Sequence, residues 1–301
     1  MNGHKNVEKK RWLPTPFSKK DLPAIGLFFK ELYNGIYEYG NMGFFQWKIV
    51  DNYVQSGIIN LIKDDNKIVS TTSVTPKKLF IKGEVSDVAE IGDTYTHPDY
   101  WRQGMFSMLI NQTRKDAEKR GINFIYGTPN ELSLPGYQKK ANFILLHNAY
   151  LKSMLFPINI RLSISRKSHW ILGNILGSLF SALFILIFRL KNIFILDNKS
   201  ITVEELDKLP SDWNDLWNDA KINYDFIINR NENATLWRYL ENPNKYKLII
   251  LRKSEILIGY IIYRTLHSEQ GTHVAIADFL TRHGEEKSLY VGIKYIINYS
   301  F

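Results

Sequence analysis

The sequence predicts an α/β protein built on a mixed sheet, and three observations carry that prediction. Over the first half, helical and strand-like patterns follow one another as helix, helix, hairpin, strand, helix, strand, helix. A run rich in β-branched residues, Lys67 to Val74, follows the tight turn Asp64-Asp65-Asn66. A strand that closes at His97-Pro98 passes through a short loop with one glycine straight into an amphipathic helix.

Residues 1–16 read as a loose, basic lead-in ending at Pro14 and Pro16. From Asp21 the spacing of Ile25, Phe28, Phe29, Leu32 and Tyr33 places them on one helical face. A second helix is expected through Phe44, Trp47, Val50 and Tyr53. Gly57–Lys63 and Lys67–Val74 form the hairpin, and Val85–Thr96 supplies the next strand. Met105 to Arg120 carries helical apolar spacing and stops at Gly121. Asn123–Tyr126 reads as a short strand and Leu134–Lys140 as a short helix.

The opening pattern recurs downstream. Phe45-Gln46-Trp47-Lys48 returns 190 positions later as Thr235-Leu236-Trp237-Arg238, and at the same offset Asp51-Asn52 meets Glu241-Asn242 and Ile58-Ile59 meets Leu248-Ile249. After a one-residue slip Lys67–Ser70 meets Ile256–Gly259, and at an offset of 185 Asp93–Thr96 meets Asp278–Thr281. The near-constant offset favours a duplicated unit over chance alignment of short elements.

Between the halves lies Trp170–Phe188, which contains no charged residue and is flanked by Arg166, Lys167, Arg189 and Lys191. As a helix it would be about 28 Å long, close to the hydrocarbon thickness of a bilayer. Gly173, Gly177 and Ser181 form a small-residue stripe on it. Three readings stay open: burial in protein, association with a membrane surface, and spanning. A single span would separate two halves that look like copies, which argues against the last.

Composition narrows the chemistry. The chain has 301 residues, 45% hydrophobic and 23% charged, which are globular values with room for about two domains. It has no cysteine, which removes disulfides, thiolate nucleophiles and cysteine zinc sites together. Its seven histidines are scattered with no pair at helical metal spacing, so no metal is expected. The net charge of +9 points to an anionic partner. No long basic tract or nucleic-acid module is present, so a phosphate-bearing cofactor or a membrane surface ranks above nucleic acid. The polar start Met1–Lys10 has no apolar core of a signal peptide, and a cytoplasmic location is expected.

The chemically informative stretch is Val88 to Ile110. A loop that ends a strand and starts a helix aims consecutive main-chain N–H groups at one spot, backed by the positive end of the helix dipole. Gly104 lets a ligand approach the backbone, and Arg102 can add a charge-assisted contact to phosphate. It is neither a dinucleotide fingerprint, which needs three spaced glycines, nor a P-loop.

His97-Pro98-Asp99-Tyr100-Trp101-Arg102-Gln103-Gly104-Met105-Phe106 resembles the acyl-CoA pyrophosphate loop of the GNAT N-acetyltransferase superfamily, and Gly127-Thr128-Pro129-Asn130 with Pro135–Phe143 is similar to its second motif. The resemblance covers roughly residues 20–150 and includes elements of a bacterial subgroup. It implies a mixed-sheet GNAT fold at 17–150 that binds acyl-CoA, a helical connector at 151–192, and an incomplete second GNAT-like unit at 193–301. It also implies acetyl-CoA or another acyl-CoA as co-substrate, bound through Tyr95, Thr96, Trp101, Arg102, Gln103, Gly104, Met105, Phe106 and Asn130. Trp101 stands where the motif usually has Arg or Gln, and Phe106 where it prefers Gly or Ala. Gln138 holds the place of the family's usual tyrosine, with Tyr137 beside it.

Amide formation requires a base for the amine, polarisation of the thioester carbonyl and a proton for the leaving thiolate. By resemblance, main-chain groups around Tyr95 and Thr96 polarise the carbonyl and Tyr137 is the candidate acid. Glu90 and Asp93 are the candidate bases; they are three apart, so regular strand alternation places them on opposite faces with only one toward the substrate. In the second half the corresponding loop, Arg282-His283-Gly284-Glu285-Glu286-Lys287, is acidic and is expected to bind no CoA. The expected partner is a small-molecule amine such as an amino sugar or amino acid. The alternatives are a non-catalytic GNAT-fold binding module, and a tandem-GNAT aminoacyl transferase acting on a cell-envelope precursor.

Overall fold

The computed structural model describes residues 11–33, 42–122, 124–146, 200–268 and 271–300, with 178–179 and 182–183. The chain divides into two compact units: Met1–Tyr150 with Phe226–Asn229, and Leu151–Asp225 with Arg230–Phe301.

In the first unit the elements are β1 (Thr15–Pro16), α1 (Leu22–Leu32), α2 (Met42–Phe45), β2 (Ile58–Asp64), β3 (Lys67–Ile81), β4 (Glu84–Thr96), α3 (Met105–Glu118), β5 (Phe124–Tyr126) and α4 (Leu134–Ala141). The sheet runs β1-β2-β3-β4-β5, antiparallel except for the parallel pair β4–β5. A sixth strand, Phe226–Ile228, pairs with the far end of β3 at Ile81–Leu79. The architecture is α/β with a mixed sheet, as the sequence predicts.

Apolar residues divide between the two faces. Ile25, Phe28 and Phe29 of α1 pack with Phe45, Ile49, Ile59, Leu61 and Ile68 on one side. Ile110 and Ala117 of α3 and Tyr137 and Ala141 of α4 pack with Ile58, Val74, Ala89 and Ile91 on the other. Adjacent residues Ile58 and Ile59 thus serve opposite layers, which is why β2 reads as a nearly continuous apolar run.

Three local expectations change. The end of the lead-in packs on the sheet: Trp12 is buried, and Pro16 pairs with Asn60 at the sheet edge, where a missing N–H is tolerated. The second helix is shorter, because α2 passes into a π-helical turn, Gln46–Val50, and Asn52 then ties down the chain through Lys48 O and Pro76 O. The second strand of the hairpin runs on to Ile81 through Pro76, which lies beyond the last β2 pairing at Val74.

The second unit contains β6 (Ile201–Leu206), α5 (Trp213–Lys221), α6 (Glu232–Thr235), β8 (Lys247–Lys253), β9 (Ile256–Ser268), β10 (Gly271–Thr281) and α7 (Ser288–Ser300), the strand Phe226–Ile228 being β7 in chain order. Its antiparallel sheet runs β10-β9-β8-β6. α6 also passes into a π-helical turn, Leu236–Leu240, 190 positions after the first. Asn242 repeats the side-chain bonds of Asn52, donating to Arg238 O and accepting from Asn244 N as Asn52 donates to Lys48 O and accepts from Val54 N. The register shift at Leu251/Arg252 likewise follows that at Ile62/Lys63 by 189 positions.

Among the described residues no helix is long and apolar enough to cross a membrane. The stretch Trp170–Phe188 and the helical connector lie outside the described residues apart from 178–179 and 182–183.

Candidate functional site

The site begins where two parallel strands part. β4 and β5 pair only over Val88–Glu90 and Phe124–Tyr126. Just beyond, a Cβ on Gly127 would come within 2.8 Å of Ile91 Cγ2, so only glycine lets the chain leave β5 this close to β4. From Ile91 to Thr96 the outer edge of β4 carries no strand partner among the described residues, which leaves main-chain groups facing an opening.

The loop from His97 to Gly104 lies beside that opening. Arg102 and Gly104 both adopt left-handed backbone, at φ 63° and 80°. They turn the chain sharply into α3, whose first turn receives no side-chain cap. Such a turn gathers main-chain N–H groups into a concave anion site at a helix N-terminus. A Cβ on Gly104 would meet nothing within 4 Å, so conformation rather than crowding by protein atoms selects glycine there. The loop is braced on both sides. Trp12 Nε1 donates to Gln103 Oε1 at 2.7 Å, and the Tyr100 hydroxyl donates to Asp64 at 2.7 Å, which raises the tyrosine pKa. Trp101 Nε1 donates to Thr96 O at 2.7 Å, tying the loop to the end of β4.

A β-bulge between Gly92 and Tyr95 decides where the carboxylates point. Asp93 is left-handed there, at φ 49°, an unusual state for a non-glycine residue and one that clusters at functional sites. Its carboxylate accepts from Lys48 Nζ at 2.7 Å and from Ser73 Oγ at 2.5 Å. Ser73 pairs with Gly92, and Thr75 with Glu90, so Ser73, Glu90 and Asp93 emerge on the same face, the one covered by α1. The expectation that Glu90 and Asp93 lie on opposite faces is therefore corrected; the bulge breaks the alternation that the expectation assumed. Glu90 is paired with Lys77.

The opposite face of the bulge carries Thr94. The Tyr137 hydroxyl donates to Thr94 Oγ1 at 2.8 Å, and Thr94 Oγ1 shares a hydrogen with Thr72 Oγ1 at 2.5 Å. Tyr137 is buried between the rings of Phe106 and Phe143. Burial raises its pKa; the Thr94 bond works against that, and the charge of Asp93 adds to it. Tyr137 is thus a neutral donor at the bulge, with Asp93 across the strand.

A family model described as an acetyltransferase (GNAT) domain matches residues 21–141. The chain carries a GNAT acetyltransferase domain. No curated protein matches the sequence. Two solved structures match over 96% of this chain, each with a TM-score of 0.60: a GCN5-related N-acetyltransferase from Anabaena variabilis at 15% identity, and a probable N-acyltransferase from Enterococcus faecalis at 13%. The chain spans 63% of the length of each. At these identities the likeness is one of fold.

Within the GNAT domain the named residues separate by role. Gly104, Arg102 and Gln103 form the turn. Met105 is buried with Trp12, Leu109 and Val69, so its side chain belongs to the core. Phe106 packs on Tyr137, and a Cβ on Gly136 would come within 2.9 Å of it. Asn130 Oδ1 accepts from Ser133 N and Ser133 Oγ, each at 2.9 Å, a turn that starts α4. Tyr95 packs its ring on Phe28, and burial raises its pKa. Thr96 Oγ1 bonds Ser70 Oγ at 2.7 Å. Lys48, Ser73, Lys77, Thr94 and Trp12 were not named from the sequence; only Lys48 carried a signal, its place in the repeated Trp47-Lys48 and Trp237-Arg238 pairs. A cavity of about 330 Å³ opens elsewhere, lined by Pro16, Asn60, Asp116 and Arg120, and no named site residue lines it. Among the described residues no metal-ligand cluster is present.

In the second unit Asp278 follows Asp93 by 185 positions and is locked in place. Arg230 Nε and Nη2 grip its carboxylate at 2.9–3.1 Å, and the Tyr260 hydroxyl donates to it at 3.1 Å. Ahead of α7, the Gly284 N–H donates to Glu286 Oε1 at 3.0 Å, so that turn already holds a carboxylate of its own.

Proposed function

We propose that the GNAT domain is an N-acyltransferase that moves an acetyl or other acyl group from CoA to the primary amine of a small molecule, an amino sugar or an amino acid, by direct attack on the thioester. The observation that carries this reading is the bulge itself. It puts Asp93 on one face of β4 and the Tyr137–Thr94 pair on the other, beside an unpaired strand edge and an uncapped helix start. The residues fit the cofactor: the turn Arg102–Gly104 with the start of α3 would hold the diphosphate, and the open edge of β4 would hold the pantetheine arm. Glu90 or Asp93 takes the proton of the ammonium. The free amine then forms the N–C bond as the C–S bond breaks, the leaving thiolate takes a proton from Tyr137, and the second nitrogen proton, released as the amide forms, restores the Tyr137 phenol by way of solvent. Products are an amide and free CoA. Thermal shift with a series of acyl-CoAs, followed by CoA thiol release over a panel of amines, tests the reading; no shift with any acyl-CoA rejects it.

The recurrence of the π turn, the Asn52 bonds and the register shift in the second unit favours one further reading, a tandem GNAT protein whose C-terminal part, 193–301, is a partial second unit that binds no CoA. If the reaction is instead aminoacyl transfer to an envelope precursor, product formation requires aminoacyl-tRNA and acyl-CoA does not support it.

A further inference from the structure

We infer that the acceptor carries a carboxylate next to its amine: an amino acid rather than a polyamine, a neutral amino sugar or a phosphorylated amine. The inference rests on the N-acyltransferase reading and narrows its substrate.

On the α1-covered face of β3 and β4, beside the open edge, four charged side chains meet in two pairs. Lys48 binds Asp93 at 2.7 Å, with side chains 19% and 10% exposed. Lys77 binds Glu90, with side chains 12% and 30% exposed. Between them on β3 stand Ser73, whose hydroxyl is used by Asp93, and Thr75, which lies opposite Glu90. Thr75 is 2% exposed, and its hydroxyl has no hydrogen-bond partner among the described residues. A buried hydroxyl without a partner is disfavoured in a folded chain, so one on a residue set between two charged pairs marks a place for a polar ligand group.

The charge balance then selects the ligand. Two cations and two anions sum to zero. A polycation would need an excess of carboxylates here, and a phosphorylated amine an excess of lysines, because a desolvated charge must find an opposite one. A zwitterion satisfies both signs. Its ammonium meets Asp93 or Glu90, which removes the proton before attack on the thioester. Its carboxylate meets the lysine whose partner has turned to the amine, and Thr75 adds a hydrogen bond. The lysines act as specificity-determining residues, and the carboxylate paired with each supplies the base.

The test uses the full chain. Acyl-CoA binding is first established by thermal shift. CoA release is then measured with the standard amino acids, their amides, their decarboxylated amines, glucosamine and spermidine. At least one amino acid is expected to exceed its own amide and amine by about tenfold or more in kcat/KM, the worth of one charge-assisted contact. Lys77→Gln or Lys48→Gln is expected to lower kcat/KM for the amino acid about tenfold more than for its decarboxylated amine, mainly through KM, with the acyl-CoA shift retained. Equal rates for acid and amide, a better rate with glucosamine or spermidine, or uniform loss with all acceptors in both variants overturns the inference. So does acyl-CoA binding with no release to any amino acid. Failure to bind any acyl-CoA overturns the enzymatic reading, and the inference falls with it.

Discussion

The hydroxyl of Tyr137 on α4 reaches Thr94 at the bulge of β4, 2.8 Å from oxygen to oxygen, so the one residue that the family pattern displaces by a position is still delivered to the strand. α4 ends in a left-handed Asn142, and Phe143 N bonds back to Tyr137 O. That closure fixes the ring between Phe106 and Phe143.

Tyr137→Phe keeps this packing and removes the donor. If the phenol protonates the leaving sulfur, kcat falls about a hundredfold or more while acyl-CoA affinity holds. Unchanged kcat would reduce Tyr137 to a packing residue. The pH behaviour has a definite sign. Burial raises the phenol pKa in the folded state, so the stability it contributes is complete below about pH 10 and is lost as pH rises through the folded value. Urea unfolding across that alkaline range should show a shallower loss for the Phe variant.

Gly104→Val places a β-branched residue at φ 80°. The strain is worth about 1–2 kcal/mol. Because a Cβ meets no protein atom there, the larger effect is expected on the ligand. Stabilisation by acyl-CoA should disappear while the fold survives, read by thermal shift and circular dichroism. A full shift in the variant would take the turn out of the cofactor site.

Trp12→Phe retains a ring against Tyr100 but removes the bond to Gln103. Loss of one hydrogen bond on the binding loop should weaken acyl-CoA binding about fivefold, with KM for the acceptor unchanged. Titration calorimetry measures it.

Asp278→Asn removes the carboxylate that the buried Arg230 grips. Removal of one partner of a buried pair costs about 3–5 kcal/mol, which chemical denaturation resolves. The double variant Arg230→Met with Asp278→Leu should recover only part of that loss, since it removes the buried charge but leaves the buried Tyr260 hydroxyl without its acceptor.

Much of the fold was readable residue by residue. Apolar spacing marks α1 and α3, β-branched runs mark β2 and the first part of β3, and Gly104 before Met105 marks the loop and its helix. These are local signals, carried by residues close in sequence. The recurrence of the two asparagine turns was readable for the same reason, since Asn52 and Asn242 each act within their own turn.

The site itself was legible only as a list of residue types. Which way Asp93 points depends on a bulge created by pairing with β3, and strand alternation read from the sequence assumes that no bulge exists. Lys48 and Asp93 are far apart in the chain, as are Trp12 and Gln103, and no local pattern records such meetings. By itself the sequence determined the α/β class, the order of the elements and the position of the glycine turn before α3. Tertiary structure alone decided which face each carboxylate takes, which lysine neutralises it and that Tyr137 arrives at Thr94, because those outcomes depend on register and packing between segments distant in the chain.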